Sequence, residues 1–177
     1  MNSSIDSIKV IRMRKLLYYL LVSIIVSALC FYVDIKLNAA EQGEMAPEIN
    51  AKLKGGEDFV LSGLRGDYVL LNFWGSWCGP CRAEHPQLLD ISNKYSDRVI
   101  IVTYGLEKTA DNGVSAAKAD GFLWKNQIIE ESSLLLMSGV ARDYGVSSIP
   151  SSFLISPRGR ILEPRSLDEI EKFLSEL

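Results

Sequence analysis

The chain has 177 residues, 47% hydrophobic and 23% charged, with a formal net charge of −3. That is enough apolar material for one domain with a real core plus an extension. Acidic residues outnumber basic ones and no basic stripe runs along the chain, which excludes a nucleic-acid-binding class.

The extension comes first. Residues 16–33 carry no charge over 18 positions, preceded by Lys9, Arg12, Arg14 and Lys15 and followed by Asp34. As a helix this stretch reaches roughly 27 Å, enough to cross a bilayer core. The basic flank is expected to stay cytoplasmic, with the remainder exported. A retained anchor is the expectation, because residues 37–40 make a poor small-x-small cleavage site. Two alternatives stay open: a cleaved secretory signal, and lipidation at Cys30, which lacks a small residue directly before it. From residue 34 onward there are 15 Lys and Arg against 21 Asp and Glu, a formal net charge of −6. The expected organisation is a cytoplasmic basic segment at 1–15, a transmembrane helix at 16–33, a tether at 34–46 and one domain at 47–177.

The domain should open with a hairpin, residues 48–53 and 58–61, around the Gly55-Gly56 turn. Residues 68–74 form a near-continuous apolar run, as do 99–104, and both read as central strands. Between them comes Trp77-Cys78-Gly79-Pro80-Cys81, opening a helix of about 18 residues from Gly79 with Leu88, Leu89, Ile91 and Tyr95 inward and a kink at Pro86. A cysteine where a strand hands over to a helix has its thiolate stabilised by unpaired amides and the helix dipole, and Cys78 is that cysteine. Cys81, one turn on, can close onto Cys78 after a mixed disulfide has formed. A zinc site would need two more ligands, and the chain offers only Cys30 and His85. His85 lies four residues after Cys81, close enough to modulate it, yet a polar helix residue beside Pro86 is expected at the surface.

Surface helices are expected at 110–119, ended by Gly121, and at 133–144, whose apolar stripe is Leu134, Leu135, Met137, Val140 and Ala141. One further strand is expected between them. Residues 153–156 and 160–163 should pair around Pro157-Arg158-Gly159. Ser166 and Glu169 spell a capping box ahead of Ile170, Phe173 and Leu174. The order is α/β with a mixed central sheet flanked by helices.

Residues 71–86 and the segments 144–155 and 157–160 resemble the thioredoxin superfamily, and within it the TlpA/ResA-like branch of exported or membrane-tethered thiol-disulfide oxidoreductases. The resemblance covers most of residues 45–177 and implies a thioredoxin-like fold. It implies that Pro150 is cis beside the cysteine pair, with Ile149 offering its backbone to an extended substrate. Trp77, Gly79 and Pro80 complete the implied substrate contacts. Ordinary thioredoxins carry a buried aspartate where this chain has Asn72, a neutral amide that cannot take up a proton. Glu84, on the same helix face as Cys81, is the carboxylate that the branch pattern assigns to this work.

The implied activity is reduction of protein disulfides by a tethered enzyme that a membrane electron-relay protein keeps reduced, with cytochrome c maturation as one purpose. Gly79-Pro80 matches the reducing end of the dithiol range, about −270 mV, more than the oxidising end near −120 mV. No cofactor besides the Cys78–Cys81 couple and no metal is expected, and the protein should act as a monomer. A thiol peroxidase would need a Pro-x-x-x-Thr-x-x-Cys pattern that the chain lacks. A thioredoxin-fold copper chaperone would need Cys-x-x-x-Cys and a distant histidine.

Overall fold

The computed structural model describes residues 2–38, 40–122, 124–132, 138–163 and 165–177. Contacts divide the chain into two compact units, Met1–Asn38 and Ala39–Leu177. The first is a single helix, α1 (Asn2–Asn38). Within it Arg12–Val33 is long and apolar enough to cross a membrane, spanning about 33 Å. Leu17, Ile24, Ile25 and Tyr32 all stand exposed on it, so the helix is apolar all round rather than on one stripe.

The second unit starts earlier than the sequence suggests. The tether expected over residues 34–46 is divided: α1 runs on to Asn38, and the segment from Ala40 is fastened to the domain. The Ala40 amide donates to the Asp143 carbonyl, Gly43 to Ile161 and Ala46 to Gly159, while Met45 bridges Arg160. Small side chains at Ala40, Gly43 and Ala46 let this backbone lie close against the loop, and Ala46 is buried there.

The domain has the thioredoxin-like α/β fold. Its sheet runs β5-β4-β3-β6: β3 (Tyr68–Trp74) pairs in parallel with β4 (Val99–Glu107), β4 in parallel with β5 (Gln127–Glu131), and β6 (Ser151–Ile155) antiparallel with β3. From Val69 to Trp74 every residue of β3 is buried, as a strand covered on both faces requires. Alternation then sends side chains to two cores. Leu71, Phe73, Val102, Tyr104 and Phe153 fill one, beneath the separate hairpin of β1 (Asn50–Lys52) and β2 (Asp58–Val60), which Leu53 ties to Ile128. Leu70 and Trp74 fill the other with Cys81, Leu88, Ile91, Phe122 and Ile170, beneath α2 (Gly79–Lys94) and α5 (Leu167–Ser175).

Helix α2 starts at Gly79 with Pro80 in its first turn, where a missing amide costs nothing, and passes Pro86 to end at Lys94. Helix α3 (Ala110–Ala119) has the bounds its sequence predicts, and Gly121 follows at φ +82°, a conformation that favours glycine. The helix expected over 133–144 is described only as α4 (Gly139–Asp143), capped by Ser138; residues 133–137, with Leu134, Leu135 and Met137, lie outside the described residues. The return leg after β6 pairs through a bridge between Ile155 and Ile161 and through bonds from the Ser156 amide to the Arg160 carbonyl and from the Leu162 amide to the Leu154 carbonyl. Ser166 and Glu169 form the capping box of α5 as read.

Candidate active site

The dithiol sits where β3 hands over to α2. Cys78 is the N-cap of α2 and is joined to Cys81 in a disulfide. The Cys81 amide lies 3.1 Å from Cys78 Sγ and donates to it. This bond and the free amides of the first turn favour a thiolate at Cys78 once the bond is reduced. Cys78 keeps 5% exposure and Cys81 1%, so Cys78 is the less deeply buried of the pair.

The strand-to-helix loop is held from β4. Glu107, buried at the end of that strand, accepts from the Ser76 amide and from Ser76 Oγ at 2.8 Å. Trp77 Nε1 donates to the Leu106 carbonyl at 2.9 Å, which leaves half of the indole exposed as an apolar platform beside Cys78. Sequence reasoning misses Ser76 and Glu107. The available signal is Glu107 itself, a carboxylate closing an otherwise apolar strand.

From the other side comes the loop before β6. The Ile149–Pro150 peptide bond is cis, and the Ile149 carbonyl oxygen stands 3.7 Å from Cys78 Sγ. A cavity of about 540 Å³ opens along this loop, lined by Glu84, Tyr144, Pro150, Ser151, Phe153 and Arg165. Arg165 lies over the Phe153 ring at 4.4 Å, and burial lowers its pKa. Glu84 is half-buried here, and its carboxyl is pushed up, first by burial and then by the nearby charge of Asp168. Asn72 is buried and donates to Ser152 Oγ, a bond that ties β3 to β6.

His85 departs from its expected place. It is not at the surface: it retains 2% exposure on the inward face of α2 and packs against Trp74 and Phe122, with ring centroids 5.0 and 4.2 Å away. Asp120, at the end of α3, makes this possible by taking a hydrogen bond from Nδ1 at 2.6 Å. Arg82 holds the same carboxylate through Nε and Nη2. Trp124, half-buried, stacks on Phe122 at 4.3 Å. The remaining cysteine, Cys30, is free and exposed on α1.

Residues 42–163 match the model of the AhpC/TSA family. The chain belongs to that family. Within it the chain is 32% identical over 123 residues to the thioredoxin-like protein YneN of Bacillus subtilis, covering 68% of this chain and 69% of the relative. It is 31% identical over 150 residues to the thiol-disulfide oxidoreductase ResA of Oceanobacillus iheyensis, covering 76% and 72%. Among solved structures, the thioredoxin domain of a Bacteroides vulgatus thiol-disulfide oxidoreductase superimposes with a TM-score of 0.67 at 27% identity, over 77% of this chain and 99% of that one. The TlpA/ResA-like resemblance therefore holds, and the protein is a thioredoxin-like thiol-disulfide oxidoreductase.

Proposed function

We propose that this oxidoreductase is a membrane-anchored reductase of exported protein disulfides, with α1 as its anchor and the catalytic domain outside the cytoplasm. The observation that carries the reading is Cys78 at the N-terminus of α2, 3.7 Å from the Ile149 carbonyl oxygen beside the exposed Trp77. An extended substrate lies along the Ile149–Pro150 backbone, packs on Trp77 and the Gly79-Pro80 turn, and presents a sulfur to Cys78.

The Cys78 thiolate attacks that sulfur, so a Cys78–substrate bond forms as the substrate S–S bond breaks, and the departing thiolate takes a proton. Cys81 then attacks Cys78 Sγ, the Cys78–substrate bond breaks, and the second substrate thiolate leaves. Two electrons have passed to the substrate and the Cys78–Cys81 disulfide remains. Glu84 exchanges protons with the reacting thiols from the cavity side, its raised pKa suiting it to work nearer neutral pH than an ordinary carboxylate. The dithiol is the sole redox group, and a membrane electron-relay protein restores it by the reverse exchange. Cytochrome c maturation is a process that a tethered reductase of this branch serves.

The test is trapping in the full chain. Cys81→Ser should accumulate mixed disulfides with substrate proteins and Cys78→Ser should not; equal trapping by both variants refutes the assignment of attacking and resolving roles.

A further inference from the structure

His85 is a buried imidazole with one nitrogen unspent. Asp120 is kept ionised chiefly by its hydrogen bond from Arg82, so its carboxylate only accepts, and Nδ1 of His85 must carry the ring proton. Nε2 then presents a bare lone pair. It is buried and has no hydrogen-bond partner among the described residues. A shielded acceptor of this kind is costly unless some state of the protein satisfies it.

Cys81 lies one helical turn earlier, four residues before His85 on α2, where side chains share a face. It is as deeply buried and belongs to the same cluster as Trp74 and Phe122, the two rings that His85 touches. In the disulfide, Cys81 has no proton to donate. Reduction turns it into an S–H donor one turn from the unpaired nitrogen, with Asn72 unable to take the proton up. Trp74 Nε1 is also unpartnered, but it packs against Gly105 of β4.

We propose that His85, oriented by Asp120 and Arg82, is the buried proton acceptor for Cys81 in the resolving step. The proposal rests on the dithiol cycle described above. The Cys81 S–H gives its proton to Nε2, and the imidazolium is held by Asp120. The thiolate attacks Cys78 Sγ, the Cys78–Cys81 bond forms, and the Cys78–substrate bond breaks. The departing substrate thiolate takes the proton from His85, so no other reactant enters. Arg82 on α2 and Asp120, which caps the C-terminus of α3, are the charged groups among the described residues that face the imidazole, and Trp74, Phe122 and Cys81 bring no standing charge. Burial outweighs Asp120 and keeps the ring neutral near pH 7, ready to accept. Glu84 works from the cavity and His85 from beneath.

The chain contains one histidine, so labelling histidine with ¹⁵N gives a single Nδ1 and Nε2 pair in the full chain in detergent micelles. In the oxidised protein Nδ1 should be the protonated nitrogen. Reduction with dithiothreitol should shift the Nε2 resonance upfield and move the titration midpoint of the ring. Identical Nε2 shifts and titrations in both redox states overturn the proposal, with no variant needed. In His85→Met, release of a chromogenic thiol from its mixed disulfide with Cys78 should slow by about 10²-fold at pH 7 and lose its neutral-range inflection. Formation of that mixed disulfide should keep its rate, and an unchanged release profile also overturns the proposal. A Cys81→Ser variant that traps no protein would defeat the reductase reading while leaving both small-thiol measurements valid.

Discussion

Removing the carboxylate that holds the loop before Cys78 should cost both stability and rate. Glu107 takes two hydrogen bonds from Ser76, one from the amide and one from Oγ. Each bond to a charged acceptor contributes about 1.5–3 kcal/mol. Ser76→Ala deletes one of them. Glu107→Ala deletes both, but it also ends the cost of burying a carboxylate and leaves the half-buried Ser76 amide free to find water, so its loss should be near that of one bond, about 2–3 kcal/mol. For a domain of this size that lowers Tm by about 7–10 °C. Because both variants break one network, their effects should couple by about 1 kcal/mol in the double variant instead of adding. Urea unfolding of the oxidised full chain in micelles, followed by the fluorescence of Trp74 and Trp77, measures all four species. The attack step should slow in parallel, since small displacements of a reacting group are expensive. Losses under about 0.5 kcal/mol that simply add would refute the reasoning and reduce Glu107 to a strand-end charge.

Glu84→Gln should slow disulfide reduction and flatten its pH profile, by up to ~10²-fold if the carboxylate acts as a general base. The same substitution should stabilise the fold at neutral pH. A carboxyl whose folded pKa is raised makes the native state bind more protons than the unfolded chain between the two pKa values, so wild-type stability falls as pH rises through that window. The advantage of Glu84→Gln should therefore shrink as pH drops below the ordinary carboxylate range, and a pH-independent difference in Tm would contradict the burial argument. In intact membranes the domain should be accessible to protease only from the non-cytoplasmic side and should remain in the membrane fraction. Recovery of a wholly soluble mature form lacking residues 1–40 would show that α1 is a cleaved signal.

Much of the site could be read without coordinates because its determinants are local. The Trp77 to Cys81 run, the apolar stretch before it and the helix after it place two cysteines one turn apart at a helix N-terminus, a geometry set by backbone periodicity alone. The same holds for the α3 bounds, the Ser166–Glu169 capping box and the uncharged segment in α1, each of which depends on neighbours within a turn or on a run of one polarity. Pro150 was legible only through resemblance, since nothing beside it in sequence distinguishes its isomer.

Tertiary structure decided whatever depends on a partner far along the chain. His85 looks like a surface residue until Asp120, 35 positions later, provides the acceptor that lets it enter the core. Ser76 looks like a turn filler until Glu107, 31 positions later, accepts hydrogen bonds from its amide and its hydroxyl. Residues 40–46 look like a tether because they are small and polar, and the same smallness lets their backbone bond to the segment 159–161 and Asp143. Periodicity and local capping report which way a side chain points along its own element. The pairing of β3 with β4 and the packing of α2 beside the end of α3 determine which distant group stands opposite it, and burial of a charge or an imidazole turns on that group.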